Sequence, residues 1–272
     1  MNLYISLHLN NSFSKDVNLL VWDTSAFDLL GYMAELRGAF TKHDVMLLKH
    51  LDGKRVCFRD AIFSLPSRML LGIYYNLAPV KGCKISGLVN AFSEHVLYNL
   101  NIQQTGPLPA KLRVTFLVRS TKIRRILNQE ELFYGLQRLS DLDVQMVDFN
   151  RSVPFTDQLR IIHNTDLFIG LHGAGLTYLL YLPDWATVFE IYRCSIDDMY
   201  PDLARMRGIN YLTWENMDTL TPENKTALPN YTNYSFDVGE FVRLVRVAAD
   251  QVTSHPDLVK ARLNKYRRGG EL

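Results

Sequence analysis

The second half of the chain alternates between short apolar runs and amphipathic segments. Runs typical of buried strands occupy residues 112–118, 144–149, 167–171, 187–192 and 209–213. Segments with apolar residues at helical spacing separate them, at 128–139, 156–163, 175–182 and 200–207. Strands that alternate with helices at this spacing predict βαβ units and a parallel sheet covered by helices on both faces. The predicted fold class is therefore α/β.

The first hundred residues are less regular. Strands are predicted at 18–22 and 44–49, a hairpin or strand pair at 55–64, and an amphipathic helix at 84–100. The stretch 103–110, with Gly106, Pro107 and Pro109, predicts a linker. We therefore expect three parts: the remainder of an incomplete N-terminal domain (1–104), a complete ligand-binding domain (105–235), and a C-terminal helix with a solvated basic tail (236–272). Residues 214–235 are predicted to be irregular.

A glycine-rich turn follows the strand predicted at 167–171. Its candidate ligand-binding residues are His172, Gly173, Ala174, Gly175 and Thr177. Glycines let backbone N–H groups approach a phosphate, and the start of the next helix adds unpaired donors and a positive dipole end. A tight turn needed only for packing is the alternative. A dinucleotide fingerprint is excluded because Tyr178 stands in place of its third glycine, so a nucleotide diphosphate fits better.

A basic cluster follows the strand predicted at 112–118. Its candidate residues are Arg119, Ser120, Arg125 and Asn128. Arginines at the carboxyl end of a strand can clamp a diphosphate with charge-assisted hydrogen bonds, although a solvated basic loop would have the same composition.

Two acidic residues and one histidine also lie near strand ends. Glu190 ends the fourth strand and is a candidate either for binding a ribose or for capping a helix. Asp23 follows the first predicted strand and is a candidate general base or a helix cap. We interpret His163 as a structural histidine. No hydrolase elbow or Walker loop is present.

Composition narrows the class of protein further. The 272 residues are 47% hydrophobic and carry a net charge of +2, which excludes a disordered chain and disfavours a general nucleic-acid binder. The positive sign comes from residues 260–272, which hold five basic groups and one acidic group. The apolar run 167–182 is too short for a membrane span.

The cysteines and the N-glycosylation sequons give information about the cellular compartment of the protein. Cys57, Cys83 and Cys194 have no zinc-site spacing, and a Cys57–Cys83 disulfide and three reduced thiols both remain open. Five N-x-S/T sequons favour a secretory location, at Asn10, Asn150, Asn224, Asn230 and Asn233. The first residues lack the features of a signal peptide, so we expect a fragment if the protein is secretory.

Several segments carry a resemblance to a known family. Asn-Thr-Asp-Leu-Phe-Ile-Gly-Leu-His-Gly-Ala-Gly-Leu-Thr at 164–177, Leu-Pro-Asp-Trp-Ala at 182–186 and Phe-Glu at 189–190 resemble the glycosyltransferase 61 family. Further segments similar to members of that family lie at 2–6, 21–25, 54–58, 91–93, 119–121, 126–130 and 233–238. The resemblance covers essentially the whole chain.

The resemblance implies a GT-B-type enzyme with Rossmann-like domains in the lumen of the endoplasmic reticulum. It would move N-acetylglucosamine from UDP-GlcNAc to a Ser or Thr hydroxyl of a folded EGF-like repeat, with inversion and without an obligatory metal or cofactor. His172, Gly173 and Gly175 would hold the diphosphate, Arg119 and Arg125 would neutralise it, and Asp23 would act as general base. The alternatives are a related transferase that extends O-mannose or another glycan, and a fragment that binds the nucleotide without catalysis.

The sequence departs from the family pattern at three places. The long N-terminal portion with a signal peptide is missing. Met199 stands where the family has a second cysteine, which puts a local disulfide in doubt. The last four residues, Gly-Gly-Glu-Leu, keep only half of the family's retrieval signal, so retention in the endoplasmic reticulum is expected to be weakened.

Overall fold

The computed structural model describes residues 1–11, 13–21, 32–64, 84–192, 199–228 and 231–269. The α-helices in these ranges are α1 (Asn2–Leu9), α2 (Tyr32–Arg37), α3 (Gly87–Asn99), α4 (Gln129–Gln137), α5 (Phe155–His163), α6 (Met199–Arg207), α7 (Val238–Thr253) and α8 (Pro256–Gly269). The strands are β1 (Leu20–Val21), β2 (Met46–Leu47), β3 (Leu112–Leu117), β4 (Leu142–Val147), β5 (Leu167–Gly170), β6 (Thr187–Glu190), β7 (Asn210–Thr213), β8 (Leu220–Pro222) and β9 (Tyr234–Phe236). Short 3₁₀ helices cover Leu48–Leu51, Ala174–Tyr181 and Met217–Thr219.

Five strands form one parallel sheet in the order β4-β3-β5-β6-β7. Every residue of β5 and β6 is buried, because helices cover both faces of the sheet, and this explains their unbroken apolar runs. The α/β prediction is confirmed, and most predicted strand ends are displaced by only one or two residues. The helix predicted at 175–182 is a 3₁₀ helix that begins at Ala174.

The sheet separates two hydrophobic clusters. On one face Phe116 and Phe189 contact Phe241 of α7, with ring centroids 5.7 and 6.1 Å apart. On the other face Phe168 and Val188 pack in a cluster with α3, α5 and α6. This second cluster also takes in residues from the first hundred, among them Tyr4, Phe92 and Val96. The domain boundary at 104/105 stays a prediction.

The first hundred residues differ most from the sequence-based expectation. The predicted strands at 18–22 and 44–49 reduce to the two-residue parallel pair β1–β2. The predicted hairpin at 55–64 is wrong: this segment is irregular, and Phe58 and Phe63 are exposed, so no buried face fixes a strand register. The helix at 84–100 is confirmed as α3, where the Ser86 hydroxyl accepts the N–H of Val89.

Two further expectations for the C-terminal part are corrected. Residues 214–235, expected to be irregular, contain β8 and the first two residues of β9, and these two strands pair antiparallel. The tail expected to be solvated forms α8, whose Leu258 is fully buried. Arg262 of α8 donates to the carbonyls of Leu108 and Lys111, both at 3.0 Å, so a basic residue assigned to solvent holds the linker against the body.

A carboxylate from the first hundred residues caps a helix of the sheet domain. The Oε1 of Glu35 accepts the N–H of Phe155, and its Oε2 accepts the N–H of Thr156, both at 2.9 Å. These are first-turn donors of α5, which lack partners within the helix. Burial alone would raise the pKa of Glu35, but the bonds from Thr156 and Phe155 outweigh it and hold the pKa below its usual value.

We predict that Glu35→Gln lowers the free energy of unfolding by about 1 kcal/mol at neutral pH, a typical loss for a helix cap. Because the folded-state pKa is lowered, this stabilisation is fully present above about pH 4.3, the unfolded value. It is lost as the pH falls through the lower folded value. Denaturant unfolding at several pH values measures the difference, with exposed Glu215→Gln as the control. Equal stability of the two variants at neutral pH would contradict the cap.

Candidate functional site

The carboxyl ends of four neighbouring strands lie in one row. Leu117 of β3 is paired with Gly170 of β5, Gly170 with Glu190 of β6, and Glu190 with Thr213 of β7. The segments that follow these strands therefore emerge along one edge of the sheet. Ligands of open α/β sheets bind at this edge. The register explains why the basic cluster and the glycine turn, far apart in sequence, are neighbours.

Arg119 lies directly over the glycine turn. Gly173 has a φ of +145°, and a Cβ at this position would be 1.9 Å from a terminal nitrogen of the Arg119 guanidinium. A side chain at 173 would therefore be strained by its backbone and would also displace the arginine. The structure thus brings together two of the predicted site residues, one from each cluster.

The neighbouring glycine has a packing role. A Cβ on Gly175 would lie 2.6 Å from the Cδ2 of Leu117. The turn is thus shaped by close packing at Gly175 and by the approach of a cation at Gly173. Ala174 and Thr177, the other predicted residues of the turn, are exposed, and the Thr177 hydroxyl donates to the Ala174 carbonyl at 2.7 Å.

A buried network holds His172 in place. Its Nδ1 donates to the Oε1 of Glu190 at 2.5 Å, and Glu190 has no solvent exposure. The other carboxylate oxygen, Oε2, accepts the hydroxyl of Tyr211 from β7. Since Nδ1 is used in this way, Nε2 is the ring nitrogen left for a ligand. Both carboxylate oxygens of Glu190 have protein partners, so this structure assigns it to positioning His172, while its contact with a ribose stays a prediction.

Sequence reasoning missed two members of this network, Tyr211 and Tyr200. Tyr200, at the start of α6, is 1% exposed and meets the His172 ring edge-on, with centroids 5.1 Å apart. Tyr211 lies in a predicted strand, but only the strand order and register place it beside Glu190. The sequence signal was limited to a tyrosine at the start of a predicted helix and another inside a predicted strand.

The basic loop after β3 is tied down by its backbone. The N–H of Arg125 donates to the Asn233 side chain at 2.9 Å, and its carbonyl accepts the N–H of Tyr234 at 3.0 Å. Arg124 adopts a positive φ of 58°, a conformation that non-glycine residues take rarely. The Arg125 and Ser120 side chains are exposed at this loop, so they are accessible to a ligand at the edge of the sheet.

Asn128 has a different place from the one the sequence suggested. Its Nδ2 donates to the carbonyl of Phe236 at 2.8 Å, and its Oδ1 accepts the N–H of Phe236 at 3.1 Å. Both ends of the amide are therefore engaged with β9. This geometry fits a residue that fastens the basic loop to β9, and a direct role in ligand binding stays a prediction.

His163 is structural, as predicted. Its Nδ1 donates to the carbonyl of Tyr181 at 2.9 Å, and burial lowers the pKa of its imidazole. Cys57 is exposed with a free thiol, so it is not a core cysteine. Asp23, the candidate base, lies outside the described residues, as do Cys83 and Cys194.

Among the residues that the structure describes, no group of three or more His, Cys, Asp or Glu residues has the arrangement of a metal site. None of the helices in the same ranges is long and apolar enough to span a membrane.

The fold and the edge of the sheet are consistent with a glycosyltransferase. Residues 68–189 match the sequence model of the family described as Glycosyltransferase 61. Over these residues the chain is similar to the glycosyltransferase 61 family, in agreement with the resemblance stated above.

Individual relatives make the similarity more specific. A dog protein named EGF domain-specific O-linked N-acetylglucosamine transferase is 52% identical over 94% of this chain and 50% of its own length. The Drosophila melanogaster protein of that name is 44% identical over the same shares. The chain spans about half the length of the curated relatives it matches. A solved flavo di-iron protein from Thermotoga maritima aligns over 58% of this chain and 40% of its own, but with a TM-score of 0.34 and 9% identity it carries no argument.

We predict that Gly173→Ala destabilises the protein by roughly 1–3 kcal/mol, the cost of a residue held in an unfavourable backbone conformation. Gly87→Ala is the matched control, because Gly87 has no positive φ and a Cβ there would meet no atom within 4 Å. Denaturant unfolding of both variants provides the comparison. If the free energy of unfolding of Gly173→Ala equals that of the control, the close approach of Arg119 to Gly173 described above would be contradicted.

Proposed function

We propose that this chain is part of a transferase that moves N-acetylglucosamine from UDP-GlcNAc to Ser or Thr of folded EGF-like repeats, with inversion. The main support is the 52% identity, over 94% of the chain, to a relative named for this activity. The geometry at the carboxyl edge of the sheet adds independent support, because it brings a cation, a glycine turn and a positioned imidazole together. The GT-B-type architecture is part of the proposal, and the five-stranded parallel sheet would be one of its two Rossmann-like domains.

The diphosphate of the donor would lie between Arg119 and the glycine turn. Departure of UDP leaves additional negative charge on the diphosphate, so cations and N–H groups that are already in place lower the barrier. Arg119 lies over Gly173, the exposed Arg125 is near the same edge, and the 3₁₀ helix that starts at Ala174 presents its first N–H groups there. These groups can neutralise the leaving group by themselves, so we propose that no obligatory metal or cofactor is needed.

His172 would add a directional hydrogen bond to the diphosphate. Its Nδ1 bond to Glu190 fixes the ring, and the bond from Tyr211 holds the carboxylate. When the imidazole is protonated, Nε2 is a hydrogen-bond donor, and its direction is fixed by the contacts of the ring with the protein before the ligand binds. Glu190 and Tyr211 would therefore be positioning residues that act through His172.

Inversion requires that the acceptor hydroxyl attacks the anomeric carbon from the side opposite to UDP. The C–O bond to the acceptor forms as the C–O bond to the diphosphate breaks, and the hydroxyl proton passes to a general base. We assign this role to Asp23 on the family resemblance. The reaction would take place in the lumen of the endoplasmic reticulum, where EGF repeats of secreted and membrane proteins fold.

The donor site is tested by the binding of UDP. Arg119→Ala should weaken UDP binding by about 10- to 100-fold, the loss of roughly 1.5–3 kcal/mol for a hydrogen bond from a charged group. Arg138→Ala removes an exposed arginine at the end of α4 and should leave the affinity unchanged. Calorimetric titration of both variants measures the dissociation constants. Unchanged affinity in Arg119→Ala would overturn the diphosphate assignment.

The reaction itself is tested by product formation. The chain is incubated with UDP-GlcNAc and a folded EGF repeat, and the repeat is examined by mass spectrometry for one added N-acetylhexosamine. We expect the product on the folded repeat and none on the same repeat after reduction of its disulfides. Binding of UDP without any product would instead favour a nucleotide-binding fragment. Product only on an O-mannosylated acceptor would favour the related transferase.

A further inference from the structure

Two of the five sequons lie in exposed loops with all three residues accessible. These are Asn150-Arg151-Ser152, just after β4, and Asn224-Lys225-Thr226, just after β8. Attached glycans are bulky and hydrophilic, so only an asparagine at the surface can carry one in the folded protein. Both positions meet this condition. Neither belongs to the candidate donor site.

The local geometry of the two sequons is the same. The Oδ1 of Asn150 accepts the N–H of Ser152 at 2.9 Å and its hydroxyl at 2.6 Å. The Oδ1 of Asn224 accepts the N–H of Thr226 at 3.0 Å and its hydroxyl at 2.8 Å. In each, the third residue of the sequon engages the amide oxygen, and the Nδ2 has no hydrogen-bond partner in the described part of the chain. The nitrogen that would receive a sugar is therefore unoccupied.

Asn233 presents the opposite case. It is 4% exposed, and its Oδ1 accepts the N–H of Arg125 at 2.9 Å. Its Nδ2 donates to the Oε2 of Glu223 at 2.7 Å. The same Nδ2 also donates to the carbonyl of Lys122 at 3.4 Å, so a glycan would replace one of two engaged N–H groups and enter a buried space, leaving a polar group unpaired. A chain modified here would not reach this fold.

The other two sequons carry no assignment. The Nδ2 of Asn10 donates to the carbonyl of Ser6 at 2.8 Å, and the third residue of its sequon lies outside the described residues. Asn230 also lies outside them.

We propose that the protein is N-glycosylated at Asn150 and Asn224 and is unmodified at Asn233. The sugar donor is a lipid-linked oligosaccharide diphosphate. The bond between C1 of its first sugar and Nδ2 forms, the C1–O bond to the diphosphate breaks, and one Nδ2 proton is lost to a base of the transferring enzyme. The modification needs a secretory location but is independent of the transferase activity proposed above.

The test uses the full chain, directed into the secretory pathway of cultured eukaryotic cells by a cleavable signal peptide. Folded protein is collected from the medium or, if it is retained, from protease-protected microsomes. Enzymatic release of the glycans in H₂¹⁸O converts each occupied asparagine to ¹⁸O-labelled aspartate, which peptide mass spectrometry locates. We expect label at 150 and 224 and unlabelled asparagine at 233.

Point variants separate the two sites. Ser152→Ala and Thr226→Ala should each remove one glycan and leave the other, whereas exposed Ser140→Ala should change neither. Absence of label at Asn150 or Asn224 in the folded wild type overturns the assignment of that residue, and label at Asn233 overturns its exclusion. The affinity of the same sample for UDP is measured in parallel. A glycosylated protein that fails to bind UDP would count against the proposed function alone.

Discussion

The carboxylate of Glu190 is the group on which the candidate site depends. It ends β6 with no solvent exposure, accepts a bond from His172 beyond β5, and accepts another from Tyr211 on β7. A buried carboxylate without partners would be strongly destabilising, so all three residues must be in place together. One side chain therefore ties three neighbouring strands at the edge where ligands of such sheets bind.

The glycine turn depends on this tie. His172 precedes Gly173 directly, so the histidine that Glu190 fixes also anchors the start of the turn. Arg119 reaches over Gly173 from the next strand, and only a residue without a Cβ leaves it room. The result is a positive side chain and helix-start N–H groups that are set before any ligand arrives. Preorganised positive charge of this kind is what a departing diphosphate requires.

The strands and helices of the sheet domain could be predicted because the spacing of their apolar residues in the sequence matches the positions that are buried in the structure. Phe168 and Val188, for example, lie in strands that are apolar throughout because both faces are covered. The hairpin at 55–64 could not be predicted correctly, since a strand needs a partner and a buried face, and Phe63 has neither among the described residues. The prediction for the tail was wrong for a related reason. The basic composition of α8 predicted a solvent-exposed segment, but Arg262 donates to backbone carbonyls at the linker.

The candidate site was predictable in part. Glycines after a strand indicated the turn, and arginines after another strand indicated the cation, but only the register of Leu117 with Gly170 brings the two together. Roles that depend on pairwise contacts were beyond the sequence. Examples are the pairing of Glu190 with Tyr211, and the engagement of both ends of the Asn128 amide by Phe236.

The most direct measurement of the central claim is a crystal structure of the chain with UDP bound. We predict that the diphosphate oxygens lie within hydrogen-bond distance of the Arg119 guanidinium and of the His172 Nε2, with the Nδ1 bond to Glu190 intact. A diphosphate bound away from the glycine turn, or a His172 ring turned away from Glu190 to reach it, would contradict the account.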